Sequence, residues 1–171
     1  MADKTEVAVM APGLRLLYLL LAAGVFLADR LTKTLIEAGL TPYDSRPVIP
    51  GFFHIVHVKN PGIAFGLFAE SPSAGKTFAL VFLSAAALAG VGYVLWTSGA
   101  AAQQNAALAL ILGGAMGNLF DRVRTGGVVD FLDFFVGDYH WPAFNLADSA
   151  IVTGGGLLLL YLVRAERRRA R

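Results

Sequence analysis

Cysteine is absent from this chain of 171 residues, and charged residues are scarce. Without a thiol there is no disulfide framework, no cysteine nucleophile and no thiolate metal site. Only 15% of the residues are charged and 56% are hydrophobic, whereas soluble domains average roughly 25% charged and about 45–50% apolar residues. A soluble domain with this composition would have too little charge to cover its surface. The composition therefore predicts an integral membrane protein, in which lipid solvates the excess apolar residues.

The longest stretch without a charged side chain runs from Thr77 to Phe120, a length of 44 residues. As one helix it would extend about 66 Å at ~1.5 Å per residue, about twice the roughly 30 Å of a hydrocarbon core. Polar and flexible residues at 97–99 and 103–105 provide a turn between two shorter helices. The stretch therefore predicts a helical hairpin, with one helix at about 73–96 and the next at about 103–120.

Two shorter apolar runs, at 14–28 and 149–163, flank this hairpin. Each falls short of the roughly 17–25 residues of a membrane span, unless polar residues at one end also lie inside the membrane boundary. The small residues at 22–24, preceded by Lys4 and Arg15, also fit a cleaved signal peptide. The apolar run continues past them, which favours a retained span. The last run is followed by five arginines and one glutamate, which predicts a cytoplasmic C-terminus by the positive-inside rule.

These patterns predict an all-α membrane bundle of four transmembrane helices with a small extracytoplasmic β-structure. The spans are expected at about 13–30, 73–96, 103–121 and 146–164 within a single domain, 1–171. Four spans also place the N-terminus in the cytoplasm and the loops 31–72 and 122–145 outside. Within the first loop, residues 47–50 and 53–58 are β-branched or aromatic and are bounded by proline and glycine, which predicts short strands.

Polar residues from several segments are expected at the same depth in the membrane. Asp148 lies 16 residues before Arg164, roughly 24 Å along a helix, and Asp29 lies 14 residues after Arg15, roughly 21 Å. Both carboxylates therefore lie just inside the outer edge of the hydrocarbon. The residues that reach this plane are Asp29, Lys33, Asn118, Asp121, Arg122, Asn145 and Asp148.

Charged groups at membrane depth are costly and normally face the interior of the bundle. Asp29 with Lys33, and Asp121 with Arg122, are also explained as ion pairs that terminate helices. Asp148 has no basic neighbour in its own helix. A functional role is therefore the favoured interpretation for Asp148.

A second candidate carboxylate is Asp130, in the apolar segment 127–135. An aspartate surrounded by valine and phenylalanine is poorly solvated, which raises its pKa, and a neighbouring carboxylate raises the pKa further. Asp148, in contrast, is expected in the first turn of a helix, where the dipole favours the anion. Two such carboxyls can share one proton, one acting as base towards water and the other as acid towards a carbonyl. A coupled pair of this kind titrates as a unit.

Five stretches of the chain resemble the motifs of lipoprotein signal peptidase (signal peptidase II), in order and over nearly the whole sequence. They are Asp29-Arg30-Leu31-Thr32-Lys33, Asn60-Pro61-Gly62-Ile63-Ala64-Phe65-Gly66, Gly113-Gly114-Ala115-Met116-Gly117-Asn118-Leu119-Phe120-Asp121-Arg122, Val128-Val129-Asp130-Phe131 and Pro142-Ala143-Phe144-Asn145-Leu146-Ala147-Asp148.

The resemblance implies a membrane aspartyl endopeptidase with Asp130 and Asp148 as its catalytic dyad. The residues it implies as lining or supporting the site are Asp29, Lys33, Asn60, Gly62, Asn118, Arg122 and Asn145. The implied substrates are diacylglyceryl-modified prolipoproteins, cleaved before the lipid-bearing cysteine without a metal or other cofactor. The resemblance further implies membrane lipids as neighbours, inhibition by globomycin-type cyclic peptides, no nucleic-acid partner, and a bacterial cytoplasmic (inner) membrane with the active site at its outer face.

Two other interpretations remain open. Intramembrane carboxylates also form the proton relays of transporters and channels, although a relay needs polar groups staggered through the bilayer. Ser73 and Lys76 have the S-x-x-K spacing of serine acyltransferases, a short pattern that no second motif accompanies. The segment ending in Gly75-Lys76-Thr77 lacks the first glycine of a phosphate-binding loop. His54, His57 and His140 are interpreted as residues that bind no metal.

Overall fold

The computed structural model describes residues 10–62, 74–99 and 101–170. This part of the chain forms four helices and one antiparallel sheet. The helices are α1 (Pro12–Gly39), α2 (Ala74–Thr97), α3 (Ala102–Thr125) and α4 (Leu146–Arg169). The strands are β1 (Ser45–Ile49), β2 (Phe53–Asn60), β3 (Val128–Val136) and β4 (Tyr139–His140), paired in the order β1-β2-β3-β4. The mostly helical fold with a small antiparallel sheet agrees with the sequence prediction.

Three helices are longer than the predicted spans, and α4 extends five residues past the predicted end at 164. α1 continues to Gly39, nine residues into the segment predicted as an outer loop, because the extension carries the buried side chain of Lys33 towards the other helices. α3 continues past Asp121 and Arg122 to Thr125 and ends at Gly126. Gly126 has a left-handed φ of 75° and donates its N–H to the carbonyl of Arg122, the usual way in which glycine terminates a helix.

Three of the described helices, α2, α3 and α4, are long and apolar enough to cross a membrane. α1 is not among them; it carries charged residues along its length, from Arg15 to Glu37. Large apolar side chains are nevertheless exposed on all sides of the bundle, and such extensive apolar surface is typical of contact with lipid. Examples are Leu16, Leu20 and Leu27 of α1, Phe78 and Phe82 of α2, and Val152 and Leu159 of α4.

α3 lies at the centre of the bundle because small residues let its backbone approach its neighbours closely. A Cβ atom at Gly113 would lie 2.4 Å from the carbonyl oxygen of Ala22 in α1, and one at Gly114 would lie 2.4 Å from that of Ala147 in α4. Gly154 of α4 packs against α3 in the same way, since its Cβ would lie 2.7 Å from the carbonyl oxygen of Ala107.

Within the run 154–156 only Gly154 is packed in this way, because a Cβ at Gly155 or Gly156 would meet nothing within 4 Å. We therefore expect Gly154→Ala to lower the thermal unfolding midpoint of the purified protein, since backbone atoms would have to separate by several tenths of an ångström. Gly155→Ala is the matched control. Alanine favours a helix by about 0.8–1.0 kcal/mol over glycine, so Gly155→Ala should leave the midpoint unchanged or raise it. Equal midpoints for the two variants would contradict this packing.

The sheet brings β3 to the end of the helices and leads the chain back to α4. β3 pairs with β2, so that Asp130 lies opposite Val58 and Val128 opposite Asn60. After the short strand β4, Phe144 returns to β3 and exchanges backbone hydrogen bonds with Leu132 at 2.8 and 3.1 Å. This contact places Asn145, the next residue, beside Asp130. The two predicted strands at 47–50 and 53–58 correspond to β1 and β2, whereas β4 was not predicted.

Candidate active site

Lys33 is the centre of a buried polar cluster between α1 and α3. Its side chain is fully buried, and its ammonium has three acceptors: Asp29 at 2.9 Å, Asp121 at 2.8 Å and Asn118 at 3.0 Å. An ammonium has three N–H donors, and each has an acceptor here. The i,i+4 pairing of Lys33 with Asp29 was predicted, but the pair is an interior one rather than an exposed helix end.

Asp29 connects this cluster to the start of α4. One carboxylate oxygen accepts the backbone N–H of Ala147 at 3.0 Å, and the other is paired with Lys33. Gly117 leaves the space for this carboxylate, since a Cβ there would lie 2.4 Å from it. Asp29 therefore satisfies a backbone donor in the first turn of α4, where helical N–H groups lack partners. This contact fixes the position of Asp148, which is the next residue after Ala147.

Asp148 is held by two asparagines. Its Oδ1 accepts the side-chain N–H of Asn118 at 2.7 Å, and its Oδ2 accepts the backbone N–H of Asn145 at 3.3 Å. The side chain of Asn145 in turn accepts the backbone N–H of Asp148 at 2.9 Å, which completes a reciprocal capping box. The side-chain oxygen of Asn118 accepts a hydrogen bond from Lys33. The side-chain NH2 of Asn118 therefore points towards Asp148. Asp148 lies in the first turn of α4, as the sequence predicted.

Asp130 shares one of these partners. The side-chain amide of Asn145 donates to its Oδ1 at 2.7 Å, and Asn60 donates to its Oδ2 at 3.1 Å. Asp130 is only 3% exposed. Its burial, followed by the negative charge of Asp148, raises the pKa of Asp130 from 3.8 to about 7, against the opposing hydrogen bonds from Asn60 and Asn145. The direction and both causes are those expected from the sequence.

Asn145 is the residue that joins the two carboxyls, since its side chain bonds Asp130 and its backbone N–H bonds Asp148. It is fully buried. Its position follows from the pairing of Phe144 with β3 on one side and the start of α4 on the other. The two candidate carboxylates, 18 residues apart in the chain, thus meet at one residue.

Arg122 and Gly62 close the site on the side of the sheet. Arg122 donates to the carbonyls of Asn118 at 3.2 Å and Gly62 at 3.1 Å, and the N–H of Gly62 bonds the side chain of Asn60 at 2.9 Å. The sequence left open whether Arg122 pairs with Asp121 or reaches a carbonyl, and the structure has it on the two carbonyls. Asp121 lies towards α1 instead, where it pairs with Lys33 and with Arg30. The consecutive residues point to different sides of α3, so Arg122 remains near Asp148 and Asp130.

Arg30 and Asp121 complete the cluster, although neither was among the predicted site residues. Asp121 was placed in the right plane, but Arg30 was missed. Arg30 bonds Asp121 across 91 positions of the chain and lies 4.7 Å above the ring of Phe120. A pairing at that sequence separation leaves no local pattern. The available signal was the position of Arg30 beside Asp29, at a depth where a lone cation is costly.

The charges of this cluster balance when its four carboxyls together hold one proton. The cations are Arg30, Lys33 and Arg122, and the carboxyls are Asp29, Asp121, Asp130 and Asp148. With every group ionised, three positive charges meet four negative ones. An uncompensated buried charge is expensive, so a single proton on the pair makes the site neutral. The balance agrees with the raised pKa of Asp130.

The other candidates from the sequence lie elsewhere. His54 bonds Ser45 at 3.1 Å, His57 bonds the carbonyl of Leu40 at 2.9 Å, and His140 bonds Asp133 at 2.9 Å. Within residues 10–62, 74–99 and 101–170, no group of three or more histidine and acidic side chains is placed to hold a metal ion. Ser73, and the motif residues 63–66, lie outside the described residues.

Two carboxyls that share a buried hydrogen-bonding partner, at the end of a helical bundle with many exposed apolar side chains, fit the class of membrane aspartic peptidases. Comparison with known proteins agrees. The family model described as signal peptidase (SPase) II matches residues 21–164. The lipoprotein signal peptidase of Solibacter usitatus (strain Ellin6076) is 48% identical over 150 residues, covering 87% of this chain and 92% of that protein. The lipoprotein signal peptidase of Syntrophus aciditrophicus (strain SB) is 41% identical over 157 residues, covering 91% of this chain and 97% of that protein.

Two solved structures described as bacterial membrane enzymes share this fold. One is 33% identical with a TM-score of 0.76 and covers 86% of this chain and 87% of that chain. The other is 32% identical with a TM-score of 0.75, and the match covers 91% of this chain and 96% of that chain. The chain belongs to the signal peptidase II family. It is accordingly an aspartic endopeptidase of the membrane.

Proposed function

We propose that this protein removes the signal peptide from diacylglyceryl-modified prolipoproteins by cleaving before the lipidated cysteine, with Asp130 and Asp148 as its catalytic pair. The observation that carries the proposal is the position of Asn145, which donates one hydrogen bond to each of the two carboxyls. Family membership supports the reaction. Cleavage of a lipid-modified precursor by the purified protein tests the proposal, together with loss of cleavage when either aspartate is replaced.

The two aspartates have different partners, which assigns them different roles. The carboxylate of Asp148 accepts two hydrogen bonds and lies at the start of α4, so we assign it the role of the base. Asp130, with its raised pKa, carries the proton and is the acid. Asp148 takes a proton from water as the water oxygen attacks the scissile carbonyl carbon, and Asp130 protonates the carbonyl oxygen.

The tetrahedral intermediate then collapses, and the pair regains its starting protonation state. The carbon–nitrogen bond breaks, and the leaving amine takes the proton held by Asp148. The diol oxygen returns its proton to Asp130 as the new carboxyl forms. Water is consumed, the pair again holds one proton, and no metal is required, which is the general logic of aspartic peptidases.

The residues between the sheet and the pair are placed to hold the substrate backbone. Asn60 ends β2 beside Asp130, and Arg122 fixes the carbonyl of Gly62. The signal-peptide segment of the substrate is expected to lie in lipid, and its cleavage site would reach this level at the outer edge of the bilayer. A backbone there has few water partners, so amide and guanidinium donors take their place. Globomycin-type cyclic peptides are expected to occupy the same site and inhibit cleavage.

The proposed membrane arrangement has all four helices as spans in the bacterial cytoplasmic membrane. α1 is included because Asp29 and Lys33, its charged residues at this depth, are fully buried against α3 and α4. Its outward side chains are leucines that remain exposed. The arginines at the end of α4 place both termini in the cytoplasm by the positive-inside rule. The sheet and the two carboxyls then face the outer side.

The activity should depend on pH in the direction set by Asp130. Because its pKa is raised to about 7, we expect kcat/KM to be highest while the pair holds one proton. It should then fall as the pH rises through about 7 and Asp130 ionises. Asn60 lowers the pKa of Asp130 by its hydrogen bond, so Asn60→Ala should move this fall to higher pH. Initial rates on a lipidated precursor peptide between pH 5 and pH 10 measure both. A fall that moves to lower pH in Asn60→Ala would contradict the assignment of the proton.

A further inference from the structure

A basic cavity lies at the end of the bundle opposite to the carboxylates. It has a volume of about 460 Å³ between the start of α3 and the end of α4. Its lining residues are Ala101, Ala102, Gln103, Tyr161, Arg164, Ala165 and Arg168. A water molecule takes about 30 Å³ of liquid, so the cavity has room for a group much larger than one water. The peptidase reaction makes no use of these residues.

The lining residues of α4 form one stripe of that helix. Arg164 and Ala165 each lie three or four residues from Tyr161 and from Arg168, the spacing that puts side chains on the same helix face. Arg164 and Arg168 are therefore neighbours. Neither forms an ion pair or hydrogen bond with any residue in the part of the chain that the structure describes. No acidic residue lines the cavity, and the first turn of α3 contains none.

The chemistry of the cavity selects an anion with several oxygen acceptors. Two guanidinium groups present parallel N–H donors that match the oxygens of a phosphate. Gln103 and Tyr161 add polar groups at its wall. Two unpaired cations facing a recess are unfavourable for each other, and a bound phosphate would relieve that repulsion.

The surroundings of the cavity favour a phospholipid over a free phosphate. Leu159, Leu160, Leu162 and Val163, which precede Arg164 on α4, are exposed and apolar. A lipid with its phosphate between the arginines would lay its acyl chains along this surface. Arg168 lies 20 residues from Asp148 on the same helix, about 30 Å at ~1.5 Å per residue. That length equals the usual thickness of a hydrocarbon core, so the arginines reach the phosphates of the leaflet opposite to the site.

We propose that this cavity binds the phosphate head group of an anionic phospholipid in the leaflet opposite to the active site. Basic recesses between helices at the cytoplasmic surface bind lipid head groups by the same chemistry. The binding is separate from the peptidase site and does not require the proposed substrate.

The test uses the full chain purified in a neutral detergent and titrated with phosphatidylglycerol, with bound lipid counted by native mass spectrometry. We expect the double variant Arg164→Gln/Arg168→Gln to bind phosphatidylglycerol about tenfold or more weakly, since each basic residue near a head group contributes to the attraction. The matched control is Arg167→Gln/Arg169→Gln, which removes the same charge from the same turn of α4 but from residues outside the cavity. It should bind phosphatidylglycerol as the unmodified protein does.

Three outcomes would overturn the proposal. Equal weakening in the two double variants would show a diffuse attraction to the arginine tail instead of a site. Equal binding of phosphatidylcholine would show that the negative charge is not recognised. The third outcome is displacement of phosphatidylglycerol by inorganic phosphate at a concentration as low as that at which the lipid itself binds. That result would show a site for the free anion. Peptidase activity of each variant in detergent, expected to be unchanged, confirms folding and keeps this result separate from the proposed reaction.

Discussion

Asp148→Asn is expected to abolish cleavage of a diacylglyceryl-modified precursor, and Asp130→Asn, made separately, is expected to do the same. Asparagine has nearly the same shape as aspartate but neither accepts a proton from water nor carries one to a carbonyl oxygen. We expect a loss in kcat of at least about 10³-fold for each, which corresponds to about 4 kcal/mol of activation free energy at ~1.4 kcal/mol per tenfold. Conversion of precursor to mature lipoprotein by purified protein in detergent, followed on a gel, measures the loss.

The matched control is Asp133→Asn, which changes another buried aspartate of the same strand. Asp133 pairs with His140 and has no contact with Asn145 or Asn118 among the hydrogen bonds of the site. Its replacement should leave the rate within about threefold of the unmodified protein, as expected for a substitution away from the reacting groups. Ser73→Ala should also leave cleavage intact, which separates the aspartic mechanism from a serine–lysine one. Substantial activity in either Asp130→Asn or Asp148→Asn would refute the dyad.

The double variant Asp130→Asn/Asp148→Asn distinguishes a true pair from two independent contributions. Catalytic groups that act as a unit are strongly non-additive, so the double variant should be about as inactive as either single one. Independent contributions would multiply instead. The comparison needs single turnovers with excess enzyme, because residual rates are then measurable without interference from product release.

The sequence was sufficient to predict that Asp29 and Asp148 lie at one level of the bundle, because that level follows from counting residues along each helix. Asp29 and Asp148 were placed at one level from their distances to Arg15 and Arg164, and the structure joins them through the N–H of Ala147. The β-branched and aromatic residues between proline and glycine likewise predicted β1 and β2 close to their observed bounds. Both inferences depend on local features, the ~1.5 Å rise per residue of a helix and the residue types that favour strands.

The partners of each polar group were harder to predict, since they depend on contacts between distant segments. Asp121 was considered as a partner of Arg122, its neighbour in sequence, yet it bonds Arg30, 91 residues away. Successive residues of a helix point about 100° apart, so adjacency in sequence is poor evidence for an ion pair. The joining of Asp130 to Asn145 was equally hidden, because it depends on the return of Phe144 to β3.

Lys33→Met is expected to cause the largest loss of stability of any single replacement in the cluster. The substitution keeps much of the side-chain volume but removes the cation that Asp29 and Asp121 both contact at 2.8–2.9 Å. Removing one partner of a buried ion pair typically costs about 3–5 kcal/mol, because the remaining charge is left uncompensated. Here two carboxylates would lose their common cation, and only Arg30 would remain beside them. We expect little folded protein in the membrane fraction and a clearly lower thermal midpoint for what is recovered.

If uncompensated charge causes the loss of stability in Lys33→Met, a second replacement that removes a negative charge should restore part of that stability. Asp29→Asn in the Lys33→Met background removes one negative charge, so that Arg30 and Asp121 remain as a balanced pair. We therefore expect Asp29→Asn/Lys33→Met to be more stable than Lys33→Met alone, although Asp29→Asn by itself is destabilising. Contacting residues of one network commonly couple by about 0.5–3 kcal/mol. The four proteins of this double-mutant cycle are the unmodified protein, the two single variants and the double variant. Their thermal midpoints, measured at one pH and in one detergent, show whether the effects of the two replacements on stability are coupled.

Arg124→Met is the control that removes a positive charge from an exposed ion pair instead of a buried one. Arg124 meets Glu37 at 3.5 Å with its side chain 54% exposed, and exposed pairs of this kind contribute about 0–1 kcal/mol. Its thermal midpoint should remain close to that of the unmodified protein. If the losses from Asp29→Asn and Lys33→Met simply add, or if Arg124→Met is as damaging as Lys33→Met, then the charge balance around Lys33 does not govern stability. The protonation of the catalytic pair would in that case need another explanation, because the same balance requires one proton among the four carboxyls.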